Sequence, residues 1–397
     1  MDIISKYSLV FAGNEMPKTT FCPYRICPIG AHSDHQHGKV SGIAIDKGIT
    51  VAYTPTEDGT VQLASLNFDG MVQFNINNVP DTKVKDWADY LRGVTVALSR
   101  IRPLHRGLRG VIEGTLPVGG LSSSAAVILS YLSALCEVNG VDLTADEMIQ
   151  TALWSEVKYV GVNVGTLDQS CEVLCRKDML LYLDTKDGSH ELIARNPNMK
   201  PFKVAIFFSG LERSLASSAF NTRVDEIKSA AYALMAHAGM EYGNFADARL
   251  RYVPRDVYDQ YKHLLPDNWR KRAEHYYTEF ERVERGAQAW REGDIELFGR
   301  LSFESGRSSI YNYETGSPEL KELYEIMCRT DGIYGGRFSG AGFKGCCMAL
   351  VDPDAEQYIA QKVEREYLAA FPHLEGKFSA HFCNSADGVL ARKENSI

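Results

Sequence analysis

The sequence predicts an α+β fold with two domains. Residues 40 to 75 alternate apolar and polar side chains, with turn signals at residues 57–59 and 69–70, which is typical of antiparallel strands. Residues 221 to 329 are mostly helical in spacing, and regular strand-helix-strand units are missing from the pattern. A length of 397 residues also exceeds the roughly 250–300 at which one core stops growing.

Further elements follow in order along the chain. The apolar residues that follow Ser122 continue almost all round the helix, so that helix is expected to be buried. The loop at residues 196–201 has the composition of a domain boundary, which gives domains 1–198 and 199–397. The remaining predicted elements are helices at residues 86–100 and 145–159, and strands at residues 110–114, 179–185 and 202–210.

The composition limits the classes of partner. The chain carries 43 Lys and Arg against 51 Asp and Glu, a net charge of −8, which argues against nucleic acid as a partner. No apolar run approaches the roughly 18 residues needed to span a membrane, and the N-terminus does not resemble a signal peptide. Nine scattered cysteines fit reduced thiols. We therefore expect a cytoplasmic protein that binds neither nucleic acid nor membrane.

Residues 340–345, GAGFKG, have the glycine spacing of a dinucleotide-binding motif. That motif must open a helix, whereas the run CCMALVD that follows here has the composition of a strand. A tight turn in which glycines allow close approach of another backbone segment fits better.

Residues 116–127, LPVGGLSSSAAV, place two glycines and three serines directly before the long apolar helix. Unpaired N–H groups and the positive end of the helix dipole would converge there with several hydroxyls, which favours an anion site. The ending of a Walker loop is missing. By composition alone, an ordinary serine cap on a buried helix is at least as good an interpretation.

Two further segments contain side chains that could act in catalysis or bind a ligand. Asp168 follows two glycines in a neutral loop, so it is either a turn former or a general base. The segment 24–38 packs His32, Asp34, His35 and His37 together, which could indicate a zinc site. Because no second ligand cluster appears, we favour a sugar site in which short polar side chains bind hydroxyl groups.

Taken in order, these stretches resemble the galactokinase branch of the GHMP small-molecule kinases. Residues 25–34, RICPIGAHSD, match that family's first motif, and residues 120–126, GLSSSAA, match the second. Residues 340–346, GAGFKGC, match the third, and Leu167-Asp168-Gln169 stands where the family has Met-Asp-Gln. The resemblance implies an N-terminal domain like domain 2 of ribosomal protein S5, a ferredoxin-like C-terminal domain, and an active site between them.

The resemblance also implies roles for individual residues, with ATP and Mg²⁺ as cofactors and a monosaccharide as substrate. Asp168 would be the catalytic base and Arg25 the residue that steadies it. Ser124 and Glu156 would face the metal. ATP-binding residues would be Trp87, Tyr90, Gly119, Gly120, Leu121, Ser122, Ser123, Ser124 and Ala125, and sugar-binding residues Ala31, His32, Asp34, His35, Gly165, Phe220 and Arg213.

Two positions depart from the galactokinase pattern. Ala31 stands where those enzymes carry a glutamate that binds the C6 hydroxyl, and its loss would admit a sugar with its own carboxylate there. The chain looks closest to the branch that phosphorylates D-galacturonate at C1, with His35 and Arg213 as candidate partners of the carboxylate. Phe220 replaces a sugar-contacting tyrosine. D-galactose is the alternative substrate.

Two alternatives come from other classes. One is a sensor that binds sugar and ATP without catalysis, against which Asp168 and Arg25 argue. The other is RNA binding through residues 270–272, but the acidic residues of the same helix favour a solvated amphipathic face. We expect a monomer or a weak dimer.

Overall fold

The computed structural model describes residues 1–13, 15–211 and 217–394. Within them, the strands are β1 (Lys18–Ile26), β2 (Lys39–Thr56), β3 (Thr60–Ser65), β4 (Met71–Asn75), β5 (Gly107–Gly114), β6 (Met179–Asp184), β7 (His190–Ala194), β8 (Lys203–Phe208), β9 (Ile333–Phe338), β10 (Cys346–Val351) and β11 (Ser379–Cys383). The helices are α1 (Ile3–Val10), α2 (Asp89–Ser99), α3 (Ser123–Asn139), α4 (Ala145–Trp154), α5 (Leu167–Leu174), α6 (Ser217–His237), α7 (Arg255–Tyr261), α8 (Asp267–Glu292), α9 (Ile295–Tyr311), α10 (Pro318–Cys328), α11 (Glu356–Ala370) and α12 (Val389–Glu394).

The first sheet has the strand order β4-β3-β5-β2-β6-β7, with β1 paired to β2. The predicted strands and both turn signals are confirmed, and β3 pairs with β4 in an antiparallel hairpin. Strand β1 was not predicted, because its sequence KTTFCPYRI does not alternate cleanly. The register of β1 against β2 shifts between Pro23 and Arg25. Such an irregularity changes the direction of nearby side chains, and it lies next to Arg25.

Helix α3 lies in the core, as its all-round apolar sequence predicts. Its buried residues include Ile128, Leu129, Leu132 and Leu135, and the helix packs on β1 and β2. Gly140 ends it with a φ of 61°, in the left-handed region where glycine is favoured. The start of α3, with residues 119–122 before it, is therefore held firmly against the sheet that carries Arg25.

The second sheet is antiparallel, with the order β11-β8-β10-β9. With α10 and α11 between its strands it has the β-α-β-β-α-β order of a ferredoxin-like domain, so the predicted α+β fold with two domains of these types is confirmed. The boundary after residue 198 falls in the loop between β7 and β8 and stays a prediction. No helix among the described residues is long and apolar enough to cross a membrane.

The prediction of a solvated face for α8 is wrong at two positions. Arg272 is fully buried and forms ion pairs with Glu226 at 2.8 Å and Glu314 at 2.7 Å. Glu279 is also fully buried, against Arg337 at 3.3 Å. Charged residues can face the core when partners from other segments neutralise them, and the sequence of one helix does not reveal partners such as Glu226, Glu314 and Arg337.

Replacing Arg272 by alanine should therefore lower the free energy of unfolding by about 2–3 kcal/mol, because it removes a fully buried guanidinium together with its ion pairs to Glu226 and Glu314. Urea denaturation measures this change. The matched control is Arg270→Ala on the same helix, whose ion pair with Asp267 is exposed and should contribute less than about 1 kcal/mol. Equal losses in the two variants would contradict this account of α8.

Candidate active site

An ion pair between Arg25 and Asp168 joins the end of β1 to the first turn of α5. Nε and Nη2 of Arg25 donate to the same oxygen, Oδ1 of Asp168, at 2.9 and 2.6 Å. The Arg25 side chain is only 4% exposed, whereas that of Asp168 is 23% exposed. Burial opposes the charge of Arg25, but Asp168 outweighs it and raises the pKa of the guanidinium. The arginine is thus a permanent cation that holds a solvent-accessible carboxylate.

The glycine-serine loop lies directly beside this pair. Gly119 and Gly120 have φ values of 140° and 87°, and Ser122 has a φ of 58°. The carbonyl oxygen of Gly120 accepts from Nη1 of Arg25 at 3.5 Å, and the Oγ of Ser122 is buried without a partner among the described residues. The first N–H groups of α3 are free of helical partners there. These groups fit an anion such as a phosphate.

The glycine turn between β9 and β10 packs on that loop. A Cβ atom on Gly345 would lie 2.8 Å from the carbonyl carbon of Gly119, and one on Gly340 would lie 2.8 Å from Cα of Gly120. Both glycines also have a positive φ, of 99° and 70°. The predicted close approach is confirmed, because only glycine fits at these two positions.

Glu156 provides a second carboxylate near Asp168. It lies on a π-helical turn, Ser155–Val160, that extends α4, and Gln169 donates to it from the residue next to Asp168. Burial raises the pKa of Glu156 to about 7, against a hydrogen bond from Ser124 that lowers it. The carboxyl group of Glu156 thus lies beside the hydroxyl of Ser124, at the start of α3. Mg²⁺ prefers oxygen ligands of these types.

Asp34 lies close to Gly165 and interacts with the charge of Asp168. A Cβ atom on Gly165 would lie 2.3 Å from Oδ2 of Asp34, so a larger residue there would displace the Asp34 side chain. Burial, together with the charge of Asp168, raises the pKa of Asp34 to about 6. The two carboxyl groups are therefore close enough to influence each other, and the role of Asp34 in a sugar site stays a prediction.

One ring nitrogen of His32 has no hydrogen-bond partner among the described residues. Its ring stacks on Tyr313 with a centroid distance of 4.4 Å, and its Nε2 is buried with no partner in the part of the chain that the structure describes. Burial keeps the pKa of His32 well below its usual value, so the ring is neutral. Phe220 lies 6.3 Å from the same ring. A neutral imidazole beside aromatic rings suits a sugar hydroxyl.

The ring nitrogens of the other two early histidines have different partners. Nε2 of His35 lies 3.0 Å from the hydroxyl of Tyr313, and Nδ1 of His37 lies 3.2 Å from that of Tyr252. Among the described residues, no three His, Cys, Asp or Glu side chains are arranged to hold a metal. The geometry thus favours the sugar interpretation of this segment over the zinc interpretation.

Two residues that the sequence analysis did not predict, His275 and Glu279, contact the backbone at Gly30 and Ala31. Nε2 of His275 lies 3.0 Å from the carbonyl oxygen of Ala31, and Glu279 accepts the N–H of Gly30 at 2.6 Å. Although burial opposes ionisation, neighbouring cations lower the pKa of Glu279 to about 2. Both residues lie on α8, where the many charged residues gave no sign that these two are buried. The sequence also contained no local pattern that pointed to Tyr313.

The remaining predicted residues are those proposed to bind adenine, the sugar carboxylate and the phosphates. Trp87 and Tyr90 are half-buried at the start of α2, and the Oγ of Ser155 donates to the carbonyl of Tyr90 at 2.8 Å, which links α2 to the turn that carries Glu156. Their adenine-binding role stays a prediction. Arg213 lies outside the described residues. Leu121 and Ala125 are buried within or just after the loop.

Comparisons with known proteins identify the class to which this fold and this site belong. Family models described as the N-terminal and the C-terminal domain of GHMP kinases match residues 89–176 and 287–370. The chain is 39% identical over 396 residues to the galacturonokinase of Arabidopsis thaliana, with 94% of this chain and 93% of the relative covered. The chain therefore belongs to the GHMP kinase family.

Sugar kinases are among the relatives of this chain. A galactokinase of Roseiflexus sp. is 31% identical, with 94% of this chain and 93% of the relative covered. The crystal structure of Lactococcus lactis galactokinase complexed with galactose superposes with a TM-score of 0.88 at 27% identity, over 97% of each chain. A mevalonate kinase with a TM-score of 0.65 and 16% identity shares the fold.

The raised pKa of Asp34 predicts a pH-dependent effect of Asp34→Asn on stability. A folded-state pKa of about 6, against 3.8 for the free group, means that the wild type loses stability as the pH rises from about 4 to 6. The uncharged asparagine avoids this loss. We expect the variant to be more stable than the wild type by about 3 kcal/mol at pH 7.5, and to lose the advantage near pH 4. Urea denaturation at both pH values measures it, and a difference independent of pH would contradict the assignment.

Proposed function

We propose that this protein transfers the γ-phosphoryl group of ATP to the C1 hydroxyl of D-galacturonate. The observation that carries the proposal is the contact of Arg25 with both Asp168 and the carbonyl of Gly120. It brings a base with accessible surface next to a loop suited to phosphates. Membership of the GHMP kinase family and the sugar-kinase relatives support a sugar 1-kinase activity.

In the proposed reaction, Asp168 accepts the proton of the C1 hydroxyl while that oxygen forms a bond to the γ-phosphorus. The bond from the γ-phosphorus to the bridging oxygen breaks, and ADP leaves. Carboxylates are weak bases, so positioning and charge must supply most of the rate. Arg25 holds Asp168 in place and stabilises negative charge that develops on the transferred group.

The nucleotide would bind with its phosphates at residues 119–124. Ser122 offers a buried hydroxyl without a partner, and the first turn of α3 offers unpaired N–H groups. Ser124 and Glu156 would hold Mg²⁺, which neutralises phosphate charge when bound. Trp87 and Tyr90 would lie beside the adenine. A cytoplasmic location and a monomeric or weakly dimeric state stay predictions.

Galacturonate is favoured over galactose by the alanine at position 31. A glutamate there would repel a C6 carboxylate, whereas the methyl group of Ala31 leaves the space neutral. The identity of 39% to a galacturonokinase, against 31% to a galactokinase, supports the same choice. Galactose is the second candidate, because the structure of a galactokinase complexed with galactose matches nearly the whole fold.

The substitution Asp168→Asn should abolish turnover and leave nucleotide binding intact. Loss of a positioned base commonly lowers kcat by about 10²- to 10⁴-fold. The asparagine keeps the size of the side chain, so the dissociation constant for ADP should change less than about twofold. Coupled assays and calorimetry measure the two quantities. A variant with wild-type turnover would remove Asp168 from the role of base.

The substitution Ala31→Glu should shift the preference of the enzyme from galacturonate toward galactose. A new carboxylate would accept a hydrogen bond from the C6 hydroxyl and repel a uronate, which should change the ratio of kcat/KM values by about 10- to 100-fold. Ala31→Gln is the control of equal size without charge, and its ratio should move much less. An unchanged ratio in Ala31→Glu would mean that position 31 does not set specificity.

A further inference from the structure

Two half-buried cations without an acidic partner lie near the sugar pocket. They are Lys228, on α6, and Arg249, directly before Leu250. Neither forms an ion pair within 4 Å in the described part of the chain. Nη1 of Arg249 donates to the carbonyl oxygens of Ala246 and Ala248 at 2.7 and 2.8 Å, whereas its Nε is buried with no partner there.

Hydrogen bonds hold the chain after Arg249 against the sugar-site loop. The N–H of Leu250 donates to Oε1 of Gln36 at 3.0 Å, and Nη1 of Arg251 donates to the carbonyl of His37 at 3.4 Å. Helix α6 also packs against the turn Asp34–Gln36. Lys228 and Arg249 are thus brought to the same turn by two different elements.

His35 is close to this pair of cations and to two aromatic rings. Its ring contacts the hydroxyl of Tyr313 and lies edge-on to Phe220 at a centroid distance of 6.2 Å. Burial, together with the charges of Arg249 and Lys228, lowers the pKa of His35 to about 3. His35 is therefore neutral, and the positive charge near it comes from Lys228 and Arg249.

Other cations near Tyr313 are already neutralised. Arg223 pairs with Glu226 at 3.2 Å, and Arg272 pairs with both Glu226 and Glu314. Near Lys228 and Arg249, the acidic groups are Asp225 and Asp247, which are exposed and do not come within 4 Å of either cation. The two cations also repel each other, because Arg249 adds to the burial that lowers the pKa of Lys228.

Unpaired charge of one sign in a partly buried place costs free energy, which an anionic ligand would offset. In the proposed complex Asp168 receives the C1 hydroxyl, whereas Lys228 and Arg249 lie next to the turn Asp34–Gln36 that carries His35. We propose that Lys228 and Arg249 recognise the carboxylate of an acidic monosaccharide beside this turn. The inference rests on the proposed sugar 1-kinase function and names the class of substrate, the uronic acids.

The test is the substitution Lys228→Gln, because the ammonium group makes no hydrogen bond within the described residues and its loss should leave the fold intact. We expect KM for galacturonate to rise about tenfold, with kcat within twofold. The kinetic constants for galactose should not change. Lys228→Arg should restore the wild-type KM, and Arg249→Gln should repeat the effect of Lys228→Gln. The control is Lys262→Gln, which removes a surface ion pair with Asp259.

The outcomes separate this inference from the function on which it rests. Unchanged kinetics in Lys228→Gln and Arg249→Gln, or equal losses on both sugars, would overturn the inference and leave the kinase function standing. A wild type that prefers galactose to galacturonate would overturn the proposed substrate directly. Calorimetry of galacturonate binding at 50 and 500 mM salt is a second readout, for which we expect weaker binding at high salt in the wild type and no such change in the double variant.

Discussion

The buried charge of Arg25 is the constraint on which the site depends. A guanidinium with a 4% exposed side chain needs a nearby anion, and Asp168 meets this need from a different element. The same guanidinium reaches the carbonyl of Gly120. One side chain thereby fixes the distance between the Asp168 carboxylate and the loop that we propose binds phosphate. Phosphoryl transfer requires this distance to be correct.

The two sheets meet through glycines at the same place. The turn at residues 340–345 belongs to the second sheet, yet it packs on the backbone of Gly119 and Gly120 in the first. The Oγ of Ser339 donates to the carbonyl of Gly120 at 2.5 Å, and the thiol of Cys346 reaches the carbonyl of Gly119 at 3.4 Å. The carbonyl groups of the loop are thus held by the second sheet, which leaves its N–H groups for a ligand.

The sequence predicted what lies in local patterns. Glycines and serines before an apolar helix predicted an anion loop, and the short polar side chains of residues 24–38 predicted a sugar site; both stay predictions. It did not predict Tyr313, His275 or the burial of Arg272 and Glu279, because those roles depend on partners from distant segments. His35, suggested from the sequence as a carboxylate partner, illustrates the same limit. His35 is kept neutral by burial and nearby cations, whereas Lys228 and Arg249 are recognisable only from what surrounds them.

The central claim is that one cleft holds a triphosphate at the start of α3 and a sugar hydroxyl at Asp168. A crystal structure with a non-hydrolysable ATP analogue, Mg²⁺ and galacturonate tests it most directly. We expect the phosphates on the N–H groups of residues 119–124, the C1 hydroxyl within hydrogen-bonding distance of Asp168, and the γ-phosphorus in line with that hydroxyl. A nucleotide bound elsewhere, or a sugar whose C1 hydroxyl points away from Asp168, would contradict the account.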